Sequence, residues 1–125
     1  MPLIEIRALP QPANVDIPRS LDRVRLAAAS AMDCDPDAVW VTWETIQAEH
    51  YRVKDHTPSE QPTDSHDPIV RISAFKGRSD TTISTALEAV AHTLAGTLGL
   101  KPTNVFVLYN ELEPGRVFTG GAIRT

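Results

Sequence analysis

The sequence is poor in cysteine, in aromatic residues and in long apolar runs. Its single cysteine, Cys34, excludes an intrachain disulfide and a cysteine metal cluster, and a position near a predicted helix end indicates a partly buried thiol. Three Phe, two Tyr and two Trp among 125 residues predict a mostly aliphatic core. No apolar run approaches the ~20 residues that span a bilayer, and no basic and apolar leader opens the sequence. We therefore expect a cytoplasmic protein with no membrane partner.

An excess of positive charge is also absent. Lys and Arg number 12 against 16 Asp and Glu, which gives a net charge of −4 and a pI of about 5.5. Because nucleic-acid binding needs a basic surface, we expect no nucleic-acid partner. The histidines have no metal-ligand spacing, so no metal site is predicted. Two of them, His56 and His66, are expected to be solvated.

What is present is an internal repeat at an offset of 66 residues. Residues 2–9 match residues 68–75, and both segments alternate as strands do. Residues 36–43 match residues 102–109 at the same offset. The helical positions between them also coincide, since Leu21 falls on Leu87 and Val24 on Val90. One offset covers three elements, so each half is predicted to be strand, helix, strand.

Helix signals occur in both halves. Pro18 suits an early helical position, and Ser79 or Asp80 can cap the second helix, which Gly99 and Pro102 end. Each helix has one apolar stripe. The first stripe is Ile17, Leu21, Val24, Ala28 and Ala31, and the second is Ile83, Leu87, Val90, Leu94 and Leu98.

Two such units predict an α+β fold, a four-stranded mixed sheet with two helices on one face. Strands joined by a helical crossover lie parallel. The first unit spans residues 1–53, and the second, with a C-terminal arm, spans residues 68–125. Residues 54–67 are polar, contain two prolines and are predicted to be a linker. The uncovered sheet face predicts an oligomer.

Pro2 is the first candidate for chemistry. An initiator methionine is generally removed before a small residue such as proline, and removal here would leave a secondary amine at the amino terminus. Burial and a nearby arginine would both lower the pKa of that amine. A neutral amine near pH 7 can remove a proton beside a carbonyl. A Met-Pro start is also common without such chemistry, and if Met1 stays, Pro2 is an ordinary amide.

Arg78 is the second candidate. It precedes the second helix, where unpaired amides and the positive end of the dipole favour anions. A guanidinium there can bind a carboxylate at two points. The residue equivalent to Arg78 in the first half is Pro12. The residue equivalent to Pro2 in the second half is Pro68, whose nitrogen is part of an internal peptide bond. Each half therefore lacks one group, which predicts a single composite site per chain. The alternative is a solvated loop arginine.

Together these residues resemble the tautomerase superfamily, typified by 4-oxalocrotonate tautomerase. The second half is the closer match, through its Gly77-Arg78-Ser79-Asp80 junction, its Val105-Phe106-Val107 strand and its Gly120-Gly121 end. The resemblance implies a homotrimer of fused chains with no cofactor or metal. It also implies a small oxo-acid substrate, with Pro2 as the base and Arg78 holding the carboxylate.

The sequence departs from that family at the site. A second arginine of 4-oxalocrotonate tautomerase falls at Trp40 and Phe106, so recognition of a dienoate diacid is not expected. The two aromatics are predicted to bind a bulkier or less charged substrate, or else to fill the trimer core. The family's hydrophobic wall falls at Tyr51 and Val117, so Tyr51 is a third predicted substrate-binding residue. The histidine of the cis-type haloacrylate dehalogenases falls at about Ala28, which argues against that specificity.

Three functions stay open at this point. The first is keto–enol proton transfer with Pro2 as a general base. The second keeps Pro2 protonated for hydration, dehalogenation or decarboxylation, and needs a carboxylate to activate water, for which Glu44, Glu111 and Glu113 are the candidates. The third is a non-catalytic trimeric ligand-binding or scaffold protein.

Overall fold

The chain folds in the predicted order, strand, helix, strand, twice over. The computed structural model describes residues 1–56 and 58–125. The first half contains β1 (Pro2–Ala8), α1 (Ile17–Met32) and β2 (Trp40–Thr45). The second half contains β3 (Ile69–Phe75), α2 (Asp80–Leu98) and β4 (Phe106–Leu112), followed by β5 (Val117–Thr119) and β6 (Ala122–Arg124). Strands β5 and β6 form a separate antiparallel hairpin, which is the C-terminal arm.

The four long strands form one mixed sheet in the order β2-β1-β3-β4. Pairing is parallel inside each half and antiparallel between β1 and β3. Glu5 lies opposite Arg71, its own mate in the repeat. A pseudo-twofold axis therefore crosses the sheet between these two residues. The axis exchanges the end of the sheet at Pro2 with the end at Pro68.

Both helices begin and end at local signals. In α1 the Asp16 side chain accepts a hydrogen bond from the Arg19 amide at 3.1 Å. In α2 Ser79, one of the two predicted caps, accepts one from the Thr82 amide at 3.1 Å. Gly99 ends α2 in the left-handed region, at φ 70°. These contacts fix where each connection enters and leaves its helix.

The core lies between the helices and one face of the sheet. Alternate residues of β1 and β3 are fully buried there, namely Ile4, Ile6, Val70 and Ile72. The predicted helix stripes are confirmed at their centres, where Val24, Ala28, Val90 and Leu94 are inaccessible to solvent. The predicted four-stranded mixed sheet with two helices on one face is thus confirmed. Neither helix of the described chain is long and apolar enough to cross a membrane.

The opposite face of the sheet is uncovered in the single chain. It carries the alternate residues of each strand, including charged groups at Glu5, Arg7 and Arg71. Trp40 and Phe106, repeat mates at the starts of β2 and β4, lie on this face and are 52% and 53% exposed. Two half-exposed aromatics on one sheet face are typical of a surface that meets another chain.

The linker is held in place by side-chain amides. Asn104 donates to the carbonyls of Pro62 and Ser65 at 3.1 and 3.0 Å. Gln61, itself buried, donates to the carbonyls of Pro62 and His66 at 3.0 and 2.8 Å. These bonds turn residues 61–66 back against the second half.

The expected solvation of the linker histidines is wrong for His66. This residue is 2% exposed, because the folded-back linker places its ring against those of Tyr51 and His56, at centroid distances of 5.2 and 5.6 Å. His56 is exposed, as expected.

Candidate functional site

Pro2 and Arg78 lie at the same end of the sheet. Pro2 opens β1 and pairs with Ala74, near the end of β3. Four residues later the chain reaches Arg78, just before α2 begins. The antiparallel pairing of β1 and β3 thus places at one end of the sheet the two groups that the two halves supply separately.

The surroundings of Pro2 are apolar. Its ring is fully buried, and strand alternation places it on the helix side of the sheet, like Ile4. Beside its partner Ala74, a small cluster contains Met32 and Ala86. Cys34 packs half-buried against this cluster, as predicted for its thiol. An amine in such surroundings has its charged form disfavoured.

Arg78 is half-buried and has no carboxylate partner among the residues that the structure describes. The ion pairs among the described residues are made by Arg25, Lys76 and Lys101. Arg78 stands instead beside the N-terminus of α2, whose cap is Ser79. A guanidinium there is available to a bound anion.

Tyr109 stands next to Arg78. It lies in β4 opposite Ile72, on the helix side, and packs against the cluster of Met32, Ala74 and Ala86. Burial raises the pKa of Tyr109 above its usual value, the Arg78 guanidinium opposes the rise, and the Glu111 carboxylate adds to it. The Arg78 guanidinium is close enough to lower the pKa of Tyr109 through a hydrogen bond to its oxygen, although no partner of the buried hydroxyl among the described residues has regular hydrogen-bond geometry.

Two of the three candidate carboxylates lie at this end of the sheet, Glu111 near the end of β4 and Glu113 just after it. Glu111 pairs with Ala74, on the side opposite to Pro2, so the Cα atoms of Pro2 and Glu111 are two strand spacings, or about 10 Å, apart. Glu44 pairs with Arg7 at the far end of β1. Glu113 lies 3.3 Å from the Lys76 ammonium.

Tyr51 and Phe106 come together at the other end of the sheet. Phe106 pairs with Ile69, which pairs with Arg7, five residues or about 16 Å along β1 from Pro2. A cavity of about 270 Å³ opens there, lined by Tyr51, Val53, His66, Asp67, Ile69 and Phe106. Within one chain, a small molecule at Pro2 contacts neither aromatic.

Trp40 lies near Pro2 in the sheet but on the opposite face. It pairs with Leu3, the next residue of β1, so its side chain points away from the helices. The three aromatic residues predicted to bind substrate therefore do not join Pro2 and Arg78 inside a single chain.

Known proteins resemble this chain in their fold. No family model and no curated protein matches the chain. Among solved structures, a native fused 4-OT matches with a TM-score of 0.81 at 19% identity, over 97% of this chain and 94% of that chain. A wild-type fused 4-OT asymmetric trimer matches with a TM-score of 0.82 at 18% identity, over the same shares. The fold is that of fused 4-OT.

Proteins with other named activities share the fused 4-OT fold. A malonate semialdehyde decarboxylase inhibited by 3-bromopropiolate matches with a TM-score of 0.73 at 18% identity, over 94% of this chain and 88% of that chain. The fold that the resemblance in sequence implied is thus confirmed. Because one fold supports several chemistries, the activity has to be argued from the site.

The two ends of this fused 4-OT fold are chemically different. At the Pro2 end, Arg78 is accompanied by Tyr109 and Glu111. At the Pro68 end, the proline nitrogen lies inside a peptide bond and Pro12 takes the place of the arginine. Sequence reasoning found this asymmetry but missed Tyr109 as a site residue. Its only signal was its place in β4, two residues before Glu111.

Proposed function

We propose that this protein is a cofactor-independent tautomerase that moves a proton between carbon atoms of a small oxo-carboxylate. The observation that carries the proposal is that Pro2 and Arg78 lie at the same end of the sheet. The fused 4-OT fold of the chain supports the architecture that this chemistry requires.

Pro2 is the general base in this proposal. Removal of Met1 converts the Pro2 nitrogen from an amide into a secondary amine. The apolar neighbours of Pro2 and the positive charge of Arg78 both disfavour a protonated amine and lower its pKa. The neutral amine takes the proton beside the substrate carbonyl and returns it at another carbon.

Arg78 holds the substrate during this transfer. Its guanidinium binds the carboxylate through two N–H groups and is free of ion pairs in the described chain. The same positive charge stabilises the enolate that forms when the proton leaves.

We further propose a homotrimer in which the open sheet faces meet. Fused 4-OT structures described as trimers have the same fold. In this arrangement the exposed Trp40 and Phe106 are buried between chains. Tyr51, Trp40 and Phe106 contact a substrate at Pro2 only if a neighbouring chain supplies them, because their own chain places them elsewhere.

Glu111 supports a second candidate function, addition of water to a small unsaturated or oxo acid. It is the carboxylate closest in the sheet to Pro2, on the far side of Ala74. A protonated Pro2 then polarises the substrate while Glu111 activates water. Release of halide from a 3-haloacrylate would favour this candidate, and tautomerisation without halide release would favour the first.

The decisive experiment compares wild type with Pro2→Ala on phenylenolpyruvate. Loss of the base is expected to lower kcat/KM by about 10²-fold or more. Pro68→Ala, at the repeat mate, is the matched control and is expected to keep the wild-type rate. Equal rates for wild type and Pro2→Ala would remove Pro2 from the mechanism.

The intact mass of the purified protein tests whether Met1 is removed, which is the premise of the proposal. A mass without methionine is required for Pro2 to act as an amine. Retained Met1 would instead favour the third function, a ligand-binding or scaffold protein.

A further inference from the structure

No residue in the described part of the chain accepts the proton of the buried Tyr109 hydroxyl. Its neighbour Arg78 carries only N–H donors, so it can give a hydrogen bond to the tyrosine oxygen but cannot receive the tyrosine proton. No other described residue accepts that proton. Buried hydroxyls without a partner are rare and destabilising, so this one calls for an explanation.

Within the part that the structure describes, Arg78 is a donor that lacks an anion, whereas Tyr109 is a donor that lacks an acceptor. The arginine is a half-buried cation without an anionic partner among the described residues. One carboxylate placed between the two groups would satisfy both, accepting from the guanidinium and from the hydroxyl. The carboxylates nearest in sequence are Asp80, two residues from Arg78, and Glu111, two residues from Tyr109. Both are exposed, and neither forms an ion pair with Arg78 among the described residues.

We propose that Tyr109 is a substrate-binding residue of the Pro2 site, whose hydroxyl donates a hydrogen bond to the carboxylate that Arg78 holds. This inference rests on the proposed function for the location of the carboxylate. When the carboxylate arrives, the guanidinium turns towards it and the hydroxyl proton gains its acceptor.

The raised pKa of Tyr109 supports this role. Burial keeps the hydroxyl protonated well into the alkaline range, so it stays a donor wherever the enzyme works. A tyrosinate at the same place would repel a carboxylate.

The pair also defines the substrate class as small monocarboxylates. One guanidinium and one neutral hydroxyl supply a single positive charge. A second carboxylate on the ligand would add negative charge near Glu111, which lies two residues from Tyr109 in β4. Like charges repel, which is unfavourable for a dianion.

The test is Tyr109→Phe, with phenylacetate as an unreactive probe and isothermal titration calorimetry as the measurement. Loss of a hydrogen bond to a charged group is expected to raise the Kd for phenylacetate about tenfold or more. The Kd for phenylacetamide, which has no carboxylate, is expected to change less than twofold. Phenylmalonate is expected to bind wild type more weakly than phenylacetate.

Two controls separate binding from folding. Trp43→Phe, at the repeat mate of Tyr109 in β2, is expected to leave phenylacetate binding unchanged. The melting temperature of unliganded Tyr109→Phe is expected to equal or exceed that of wild type, because the variant removes an unsatisfied buried hydroxyl. In wild type, phenylacetate is expected to perturb the tyrosine ultraviolet spectrum, a measurement that requires no variant.

Each outcome separates this inference from the proposed function. Unchanged phenylacetate affinity in Tyr109→Phe, or no spectral change in wild type, overturns the role of Tyr109 even if Pro2→Ala abolishes turnover. Weakened binding in Tyr109→Phe together with full activity in Pro2→Ala keeps the carboxylate site and rejects Pro2 as the base.

Discussion

Tyr51 shows how a single buried hydroxyl ties the linker to the rest of the chain. Its O–H donates to the Asp67 carbonyl at 2.7 Å, and its ring covers His66. Burial raises the pKa of Tyr51 above 10.0, and the Asp67 carboxylate raises it further. The folded state therefore favours the neutral hydroxyl more strongly than the unfolded state does.

This shift makes stability fall in alkali. The unfolded chain ionises Tyr51 near pH 10.0, whereas the folded chain holds the proton to higher pH, so each step above pH 10.0 favours unfolding. The contribution is complete below pH 10.0 and is lost as the pH rises through the folded-state pKa. In urea melts between pH 8 and about pH 11, Tyr51→Phe is expected to lose less stability than wild type. Parallel curves for the two proteins would contradict this expectation.

The site residues differ in how far sequence alone could reach them. The roles of Pro2 and Arg78 stay predictions, but both residues were identifiable as candidates from the sequence, because the repeat shows which half lacks which group. Tyr109 was not, because its nearness to Arg78 depends on the register of β4 against β3. The repeat pairs Tyr51 with Val117 and Phe106 with Trp40, but it does not say which end of the sheet Tyr51 and Phe106 occupy. Only the antiparallel pairing of β1 with β3 places them about 16 Å from Pro2.

At the scale of elements, two glycines with opposite requirements lie inside α2 and directly after it. Gly99 ends the helix at φ 70°, where a side chain strains the backbone. Gly96 lies inside the helix, is exposed, and leaves open space around an added Cβ. Steric crowding is absent at both positions, so the backbone alone decides the outcome.

Substitution by alanine is therefore expected to change stability in opposite directions. Gly99→Ala is expected to destabilise the protein by about 1 kcal/mol. Gly96→Ala is expected to stabilise it by about 0.5–1 kcal/mol, because alanine favours a helix interior. Chemical denaturation of the two variants and wild type measures both, and a shift of the same sign in both would refute the backbone argument.

Most helices and strands were predictable from the periodicity of the sequence. The fixed conformation of the linker was not. Strand alternation and the 3.6-residue stripes depend on neighbours in sequence. The bond from Asn104 to the Pro62 carbonyl joins residues 42 positions apart. A polar, proline-containing segment therefore looked solvated, although side-chain amides hold it and bury His66.

At the scale of the whole molecule, the open face of the sheet is the surface where we expect chains to assemble. Phe106 is 53% exposed on that face, and Leu26 is 51% exposed on α1, which lies on the other side of the sheet. The two side chains are thus matched in exposure but lie on opposite layers. Only the first is expected to be buried when three chains associate.

Introducing a negative charge at Phe106 or at Leu26 tests whether the open sheet face is the interface between chains. Phe106→Glu is expected to convert a trimer into single chains, because an unpaired carboxylate cannot be buried between sheets. Leu26→Glu is expected to leave the trimer intact. Light scattering after size-exclusion chromatography reads the mass directly, and a trimeric Phe106→Glu would exclude this face as the interface.

The pairing of Glu5 with Arg71 on the pseudo-twofold axis limits what each half can do by itself. Two copies of the first half joined across that axis would set Glu5 against Glu5, and two copies of the second would set Arg71 against Arg71. Like charges directly opposite each other destabilise an antiparallel pair, and opposite charges stabilise it. Severed halves of this protein should therefore select one another over themselves, a preference that no assembly of identical short chains can encode.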